Sequence, residues 1–480
     1  MSEVTITMDG RTMTVPAGST ILEAARLNDI HIPTLCFLEK LDPRASCRMC
    51  VVEVEGARTF QHACAAKVRE GMVIRTDTEA VRASRKLTLQ LLLSDHNVDC
   101  HHCMRIGSTR CEDLDPKFCE MCFFCDCVRD GFCELQALAR EYGVDQLPFP
   151  QKHNRYPVDD SAVIVRDPNK CIKCKRCVDV CSEVQTVHNL AASGRGNGVM
   201  ISPAFGRPMA ESSCVGCSRC VEVCPVGAIY AKEHKDEVVY HAHQWGTNAV
   251  AQLDPALIPE LEKIWKKAQA PVTEQQVAGA LKKIGFSHVT VSGEAWKAVE
   301  LEGEEKLDAR LKEGPAIVAS GLAAQKVLER SFGELSDRFV FLPSPQSVFG
   351  KQAEEHFGEE DKKLITVSVG PLGPDAAEAG ESGCVDYVIN TRELYRIMVR
   401  TGAEPNPKRV FEPEAWCKAA PAGKYGPVLA PGSWNMERDA EVMDLTVDGK
   451  DLHCALCHDP AQLRRLLDGE ESFDIIRVIA

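Results

Sequence analysis

CIKCKRCVDVC at residues 171–181 and CVGCSRCVEVCP at residues 214–225 decide how the rest of the chain is read. Each carries the spacing C-x2-C-x2-C-x3-C: Cys171, Cys174, Cys177 and Cys181, then Cys214, Cys217, Cys220 and Cys224, the second run ending in Pro225. Three thiolates so stepped wrap one face of a [4Fe-4S] cube, while the fourth lies too far along to reach it and ligates the other cube. The spacing therefore assigns Cys171, Cys174, Cys177 and Cys224 to one cluster, and Cys214, Cys217, Cys220 and Cys181 to its neighbour. Soft thiolates select iron-sulfur over hard cations. Zinc ribbons also use C-x2-C pairs, but two zinc sites would not need four evenly stepped cysteines in each run. Crossed ligands tie both cubes into one rigid unit, which suits electron transfer and leaves no obvious room for a substrate.

At 480 residues the chain exceeds one ordinary core and should hold three or four domains. Its 24 cysteines cluster at metal-ligand spacings, and no apolar signal segment follows Met1, which predicts a reducing cytoplasm rather than disulfides. No apolar run reaches the roughly 18 to 20 residues that span a bilayer, so direct membrane insertion is not expected. A net charge of −14 disfavours nucleic acid and favours basic docking surfaces on partners.

Residues 3–16, EVTITMDGRTMTVP, alternate apolar and polar around Asp9-Gly10, a strong hairpin signal. Thr20 and Glu23 then form a capping box opening a helix that carries Ile21, Leu22 and Ala25 inward. Hairpin, helix, then cysteines is a β-grasp order. The cysteines follow as Cys36, Cys47, Cys50 and Cys64, a set that suits [2Fe-2S], with a structural zinc site as the alternative. From about residue 80 the text turns helical, and the helix ends near His96, Cys100 and Cys103. The segment Gly131-Phe132-Cys133-Glu134-Leu135-Gln136 comes later. Between them Cys111, Cys119, Cys122, Cys125 and Cys127 crowd a short stretch that reads as a metal site, iron-sulfur or zinc. A helix from Ala137 to Tyr142 and the connector LPFPQKHNRYP lead into the double run. His241 and His243 stand without a cysteine or carboxylate constellation and read as surface or packing residues.

This front half resembles the large iron-sulfur subunit of complex I and of [FeFe]-hydrogenases. The resemblance implies that His96, Cys100, Cys103 and Cys133 hold a histidine-ligated [4Fe-4S] cluster, with an insertion of about two dozen residues judged against ordinary loop lengths. Cys111 competes with Cys133 as the third cysteine. Neutral imidazole in place of a thiolate raises the potential of such a group.

From about residue 240 helical stretches alternate with short apolar runs, AIVAS, FVFLP, LITVSV and DYVIN, as in an α/β domain. No nucleotide fingerprint or phosphate loop appears. PVTEQQVAGALKKIGF, SPQSVFG at 344–350 and VDYVINTRELYRIMVRTG at 385–402 are similar to the catalytic domain of [FeFe]-hydrogenases. That family holds its H-cluster through three cysteine motifs. They fall on Val318-Ala319-Ser320-Gly321-Leu322-Ala323-Ala324, on Gly370-Pro371-Leu372-Gly373-Pro374-Asp375, and on Arg477-Val478-Ile479-Ala480, where the sequence stops. No cysteine stands at any of them, so no H-cluster and no hydrogen chemistry are expected. Cys384 and Cys417 are isolated and read as buried small residues. Cys454 and Cys457, flanked by His453 and His458, keep open a metal site.

The expected architecture is multidomain, α+β and α/β. It comprises a β-grasp [2Fe-2S] ferredoxin domain (1–79) and a His/Cys [4Fe-4S] domain (80–155, with the Cys-rich insertion 104–130). A two-cluster bacterial ferredoxin domain (156–240) and an [FeFe]-hydrogenase-like α/β domain without H-cluster (241–480) follow. The expected cofactors are one [2Fe-2S], three [4Fe-4S], and a fourth [4Fe-4S] or zinc in the insertion. The resemblance implies an electron-relay subunit of an electron-bifurcating, NAD-linked oxidoreductase. Its partners would be a flavoprotein carrying FMN and NAD(H), a small [2Fe-2S] subunit, ferredoxin and a separate catalytic subunit. That subunit would be a [NiFe]-hydrogenase, a tungsten or molybdenum oxidoreductase, or a formate dehydrogenase. The alternatives are a complex I-like large subunit, which should co-fractionate with membranes, and a free ferredoxin-like carrier, which should purify alone.

Overall fold

The computed structural model describes residues 2–97, 127–129, 132–150, 155–265, 271–371, 373, 375–414, 425, 439–447, 450–469 and 471–479. Cys100, Cys103, Cys111, Cys119, Cys122, Cys125, Leu372 and Cys417 lie outside them.

Strands β1 (Glu3–Met8) and β2 (Arg11–Pro16) form an antiparallel hairpin whose turn places Asp9 at φ 49° and Gly10 at φ 80°. Asp9 also accepts from the backbone and hydroxyl of Thr76, which pins the turn to the next strand. Helix α1 (Ile21–Arg26) starts at Thr20, whose hydroxyl accepts from the Glu23 amide while Glu23 reaches back to Thr20. With β3 (Val51–Val54), β4 (Gln61–His62) and β5 (Val73–Arg75) the sheet runs β2-β1-β5-β3-β4. Helix α2 (Glu79–Ser94) packs beside α3 (Glu134–Glu141), joined by buried Arg85, which donates to Tyr142 Oη at 2.9 Å and to Val51 O at 2.8 Å.

The double cysteine run folds as a pseudo-repeat. Strand β6 (Ile164–Arg166) before Cys171 pairs antiparallel with β9 (Ile229–Ala231) after Cys224, so the two ends of the unit close on each other. Between them lie the one-turn helix α4 (Arg176–Asp179), the hairpin β7 (Ala191–Ser193) with β8 (Met200–Ser202), and the one-turn helix α5 (Arg219–Glu222). A π-helical turn, Val180–Val184, carries Cys181.

Helix α6 (Lys235–His243) leads to two open sheets. The first, β11-β10-β14-β15, is all parallel: β10 (Thr247–Leu253), β11 (His288–Val291), β14 (Lys363–Gly370) and β15 (Tyr387–Asn390). The second runs β13-β12-β18-β17-β16, with β12 (Ala316–Ser320), β13 (Phe339–Leu342) and β18 (Ile475–Val478) parallel and β16 (Glu441–Val447) antiparallel to β17 (Lys450–Cys457). Around them pack α7 (Ile258–Ile264), α8 (Glu274–Ile284), α9 (Ser292–Arg310), α10 (Leu322–Ser331), α11 (Pro345–Phe357), α12 (Asp375–Ser382), α13 (Thr391–Thr401) and α14 (Pro460–Leu467). The whole is multidomain, α+β in front and α/β behind. No helix among the described residues is long and apolar enough to cross a membrane.

One apolar core crosses the front half. It holds Cys36, Cys47, Cys133, Cys174, Cys177, Cys220 and Cys224 together with Leu89, Leu135, Ile164 and Ile229, so thiols far apart in sequence share one dry interior.

Candidate metal centres

In the first run Cys174 and Cys177 are buried and Cys171 half-buried. Cys171, Cys174, Cys177 and Cys224 lie within electrostatic reach of one another, as do Cys214, Cys217, Cys220 and Cys181. Cys181 lines one apolar cavity with Cys214, Cys217 and Cys220, and Cys224 shares a buried core with Cys174 and Cys177. Corresponding positions repeat the same backbone. Lys173 (φ 59°) matches Gly216 (φ 73°), and Lys175 (φ 68°) matches Ser218 (φ 61°). These left-handed residues turn amides inward, the concave form that binds anions. Lys173 N–H donates to Cys171 Sγ and Gly216 N–H to Cys214 Sγ, both at 3.4 Å, and Asn189 N–H reaches Cys181 Sγ at 3.3 Å.

Burial pushes the Cys171 thiol up to about 11 and Cys217 up to about 12, and raises Cys177 and Cys220 well above the usual thiol range. Left alone these groups would stay protonated. An iron-sulfur group held by these thiols would supply the opposite charge that keeps them deprotonated. The donor set therefore fits an iron-sulfur group: soft, buried, paired in number and supplied with N–H···S bonds. Among the described residues no three His, Cys, Asp or Glu side chains gather closely enough for a single metal ion.

Cys36, Cys47, Cys50 and Cys64 are all buried at one edge of the amino-terminal sheet. They form two hydrogen-bonded pairs. Cys47 hydrogen-bonds Cys36, pulling Cys36 down and Cys47 up, and Cys50 and Cys64, with sulfurs 3.4 Å apart, do the same. The loop between Cys36 and Cys50 carries Lys40, Ala45 and Arg48 at positive φ, strain that ordinary loops avoid and functional ones keep.

His96 and Cys133 are buried, and Cys127 with them; the remaining insertion cysteines, Cys100 and Cys103 lie outside the described residues. His96 Nδ1 is 2.8 Å from Lys170 O. A carbonyl only accepts, so Nδ1 carries the proton and the lone pair is on Nε2, the arrangement of a metal-ligating histidine with an outer partner. Asn97 N–H donates to Asn169 O, and Glu134 N–H donates to Pro225 O at 2.9 Å, so this segment is stitched to the loops of both runs. Burial lifts Cys133 to about 11, with Cys127 nearby adding to the shift.

In the rear half, Ser320 ends β12, Gly321 turns at φ 84° into α10, and Gly370 ends β14. Strand ends of parallel sheets are where such folds place sites, and no thiol stands at these two. Cys454 and Cys457 are buried on β17, raised by burial to about 11 and about 12. Cys457 lies in the same apolar core as Val187 and Val215, with Cys181 and Cys217 against its edge. Their flanking histidines turn to carboxylates instead: His453 to Asp444 and Glu471, His458 to Glu441. Cys384 corrects the expectation of burial. It is half-exposed at the end of α12, where solvent meets the turn at Gly383. His241 stacks on Tyr387 on the exposed side of α6.

Spacing did not disclose the charges that join these centres: Arg44 on Asp179, Lys173 on Asp95, Arg176 on Glu134 and Arg129 on the carbonyls of Val221 and Cys224. Cations written inside a metal-ligand loop were the available signal.

Three family models match. Residues 1–79 match a 2Fe-2S iron-sulfur cluster binding domain, residues 161–230 the ferredoxin-like domain of NADH-quinone oxidoreductase subunit 3, and residues 247–425 the carboxy-terminal domain of the iron-only hydrogenase large subunit. The chain is 35% identical over 427 residues to the NADP-reducing hydrogenase subunit HndD of Solidesulfovibrio fructosivorans, covering 83% of this chain and 69% of that one. It is 30% identical over 257 residues to the mitochondrial NADH-ubiquinone oxidoreductase 78 kDa subunit of Candida albicans, covering 53% of this chain and 31% of that one. A chain of an NAD+-reducing [NiFe]-hydrogenase crystallised in the H2-reduced state superposes with a TM-score of 0.41 at 27% identity, over 48% of this chain and 88% of that one.

Proposed function

Since the chain belongs to the iron-only hydrogenase large-subunit family, and its front half is similar to the complex I large iron-sulfur subunit, we propose that it is a relay rather than a hydrogen-converting subunit. It would serve a multi-subunit oxidoreductase linked to NAD(P)H and ferredoxin. The observation that carries this reading is the shared apolar core in which Cys36, Cys133, Cys174 and Cys224 lie together, while Ser320 and Gly321 stand where the family's catalytic domain has thiols.

In this reading Cys36 and Cys47 hold one iron of a [2Fe-2S] group and Cys50 and Cys64 the other. His96 and Cys133 hold a [4Fe-4S] group with Cys100 and Cys103. The double run holds two more through its crossed sets, and the insertion residues Cys111, Cys119, Cys122, Cys125 and Cys127 hold a further group, iron-sulfur or zinc. Bound there, iron-sulfur groups supply one-electron storage at closely spaced stations. The chain's own residues exclude water, fix thiols such as Cys171, Cys181 and Cys214 with amide donors, and set local charge. FMN and NAD belong to a flavoprotein partner, accompanied by a small [2Fe-2S] subunit. Substrate chemistry belongs to a separate catalytic subunit, a [NiFe]-hydrogenase, a tungsten or molybdenum oxidoreductase, or a formate dehydrogenase, with flavin-based bifurcation as the coupling. The reading places the complex in the cytoplasm.

Anaerobic reduction of the isolated complex by NADH or NADPH tests it. Iron-sulfur signals assigned to this chain should grow only while the flavoprotein is present, and the chain alone should evolve no hydrogen from reduced viologen. Hydrogen evolution by the chain alone would contradict the relay reading. The second reading, a complex I-like large subunit, is favoured by the ferredoxin-like match at 161–230; membrane co-fractionation of the complex would support it.

A further inference from the structure

We infer that Arg176 is a positioning and potential-setting residue, a buried cation that raises the potentials of the [2Fe-2S] group and the first [4Fe-4S] group together. The inference rests on the proposed ligand sets. Arg176 stands between Cys174 and Cys177, and only 7% of the residue is exposed. Its Nη1 donates to Glu134 Oε1 at 2.7 Å. Glu134 follows Cys133, and its own amide holds the carbonyl of Pro225, which follows Cys224. The same apolar core takes in Cys36 of the amino-terminal set, and that thiol is within electrostatic reach of the guanidinium. Its place between Cys174 and Cys177, its bond to Glu134 beside Cys133 and the core that also takes in Cys36 set one buried cation among thiols of different sets.

The charge is not cancelled where it matters. The Glu134 side chain is 45% exposed, so solvent screens it, whereas the guanidinium is dry and its Nε has no partner among the described residues. A fixed positive charge in low dielectric favours the reduced, more negative form of any group it faces. Arginine keeps its proton under all relevant conditions, so the field is permanent. The second run supplies an internal contrast. Arg219 occupies the equivalent position, but its Nη1 turns to Glu222 of its own loop at 2.8 Å.

Redox titration of the full chain with its companions, followed by electron paramagnetic resonance, tests this. Arg176→Gln should lower both the [2Fe-2S] and the first [4Fe-4S] reduction equilibria by roughly tenfold each, about 59 mV for a one-electron couple. Arg176→Lys should restore most of both shifts, because it returns the charge without the fork. Arg219→Gln should leave the [2Fe-2S] signal where it was. If Arg176→Gln proves unstable, Arg176→Met, which keeps the length and apolar stem but not the charge, gives the same reading, with both potentials falling. Unmoved potentials in Arg176→Gln, or a shift confined to one group, would overturn the inference. Absence of both signals in the unmodified chain would overturn the ligand sets themselves, and the inference with them.

Discussion

Around Cys171 the ferredoxin-like unit meets the front half through ions: Arg44 forks onto Asp179, Lys173 reaches Asp95 at 2.7 Å, and Arg176 reaches Glu134. Around Cys214 the same positions meet the rear half through packing. Gly216, equivalent to Lys173, lies so close to α12 that a methyl there would overlap the Ala377 side chain. Glu222, equivalent to Asp179, stays with Arg219, and the carbonyl of Ser213 is held by Arg330 of α10. Thr186 of the same side bonds Ser331 at 2.8 Å. In the proposed relay the cysteines would hold the iron, and the residues between them would decide what each group is wired to. The first run meets the thiols and ions of the front half, and the second is covered by the rear domain.

The largest way to break this contrast is at the crossed ligands. Cys224→Ala should remove the group of the first run and leave Cys214, Cys217 and Cys220 with theirs, while Cys181→Ala should do the reverse; spectra of the two variants decide it. Loss of the second-run group in Cys224→Ala would mean that the runs do not cross.

Gly216→Ala comes next. It combines a strained positive φ with overlap against Ala377, and should cost about 3 kcal/mol in chemical unfolding. Lys173→Ala, at the same backbone conformation without that neighbour, should stay within about 1 kcal/mol. Equal losses would remove the packing side of the comparison. On the ionic side, Arg44→Ala leaves the buried Asp179 carboxylate without its fork, and about 2 kcal/mol is expected after allowing for the half-exposed arginine.

A smaller effect depends on pH at the link between unit and rear domain. Glu393 caps α13 and accepts from the His234 amide at 2.6 Å, and burial raises it from 4.5 to about 8. Between those values the folded chain keeps a proton that the unfolded chain has released, so stability falls as pH rises through the window. Glu393→Gln should flatten that slope in urea unfolding series. Arg330→Ala, which loses one exposed contact to Ser213 O, should change stability by no more than about 0.5 kcal/mol.

What could be read from the sequence was local. The Asp9-Gly10 hairpin, the Thr20–Glu23 box and the strands from AIVAS to DYVIN follow from turn chemistry, capping and apolar runs, and the structure contains them. Strand β10 escaped because buried Asn248 and Gln252 interrupt its apolar run. Helix α9 escaped because Gly293 and Gly303 and scattered acids blur its stripe. Helix α3 begins at Glu134, three residues before the expected Ala137, since the chain turns helical directly after Cys133. The cysteine runs stand out in the sequence because ligand spacing is a short-range constraint. The charges between them do not: Arg44 and Asp179 are 135 residues apart, and Arg176 and Glu134 are 42. Tertiary packing alone brings such pairs together.

The most direct test of the relay reading is to purify the chain anaerobically with whatever accompanies it, identify the companions by mass, and count its metals. About 14 to 18 iron per chain, after subtracting the partners' clusters, is expected from one [2Fe-2S] and three or four [4Fe-4S] groups. A flavoprotein and a metal-bearing catalytic subunit should accompany it. A solitary chain with about 8 iron would mean that only the central pair is real, and would contradict the account.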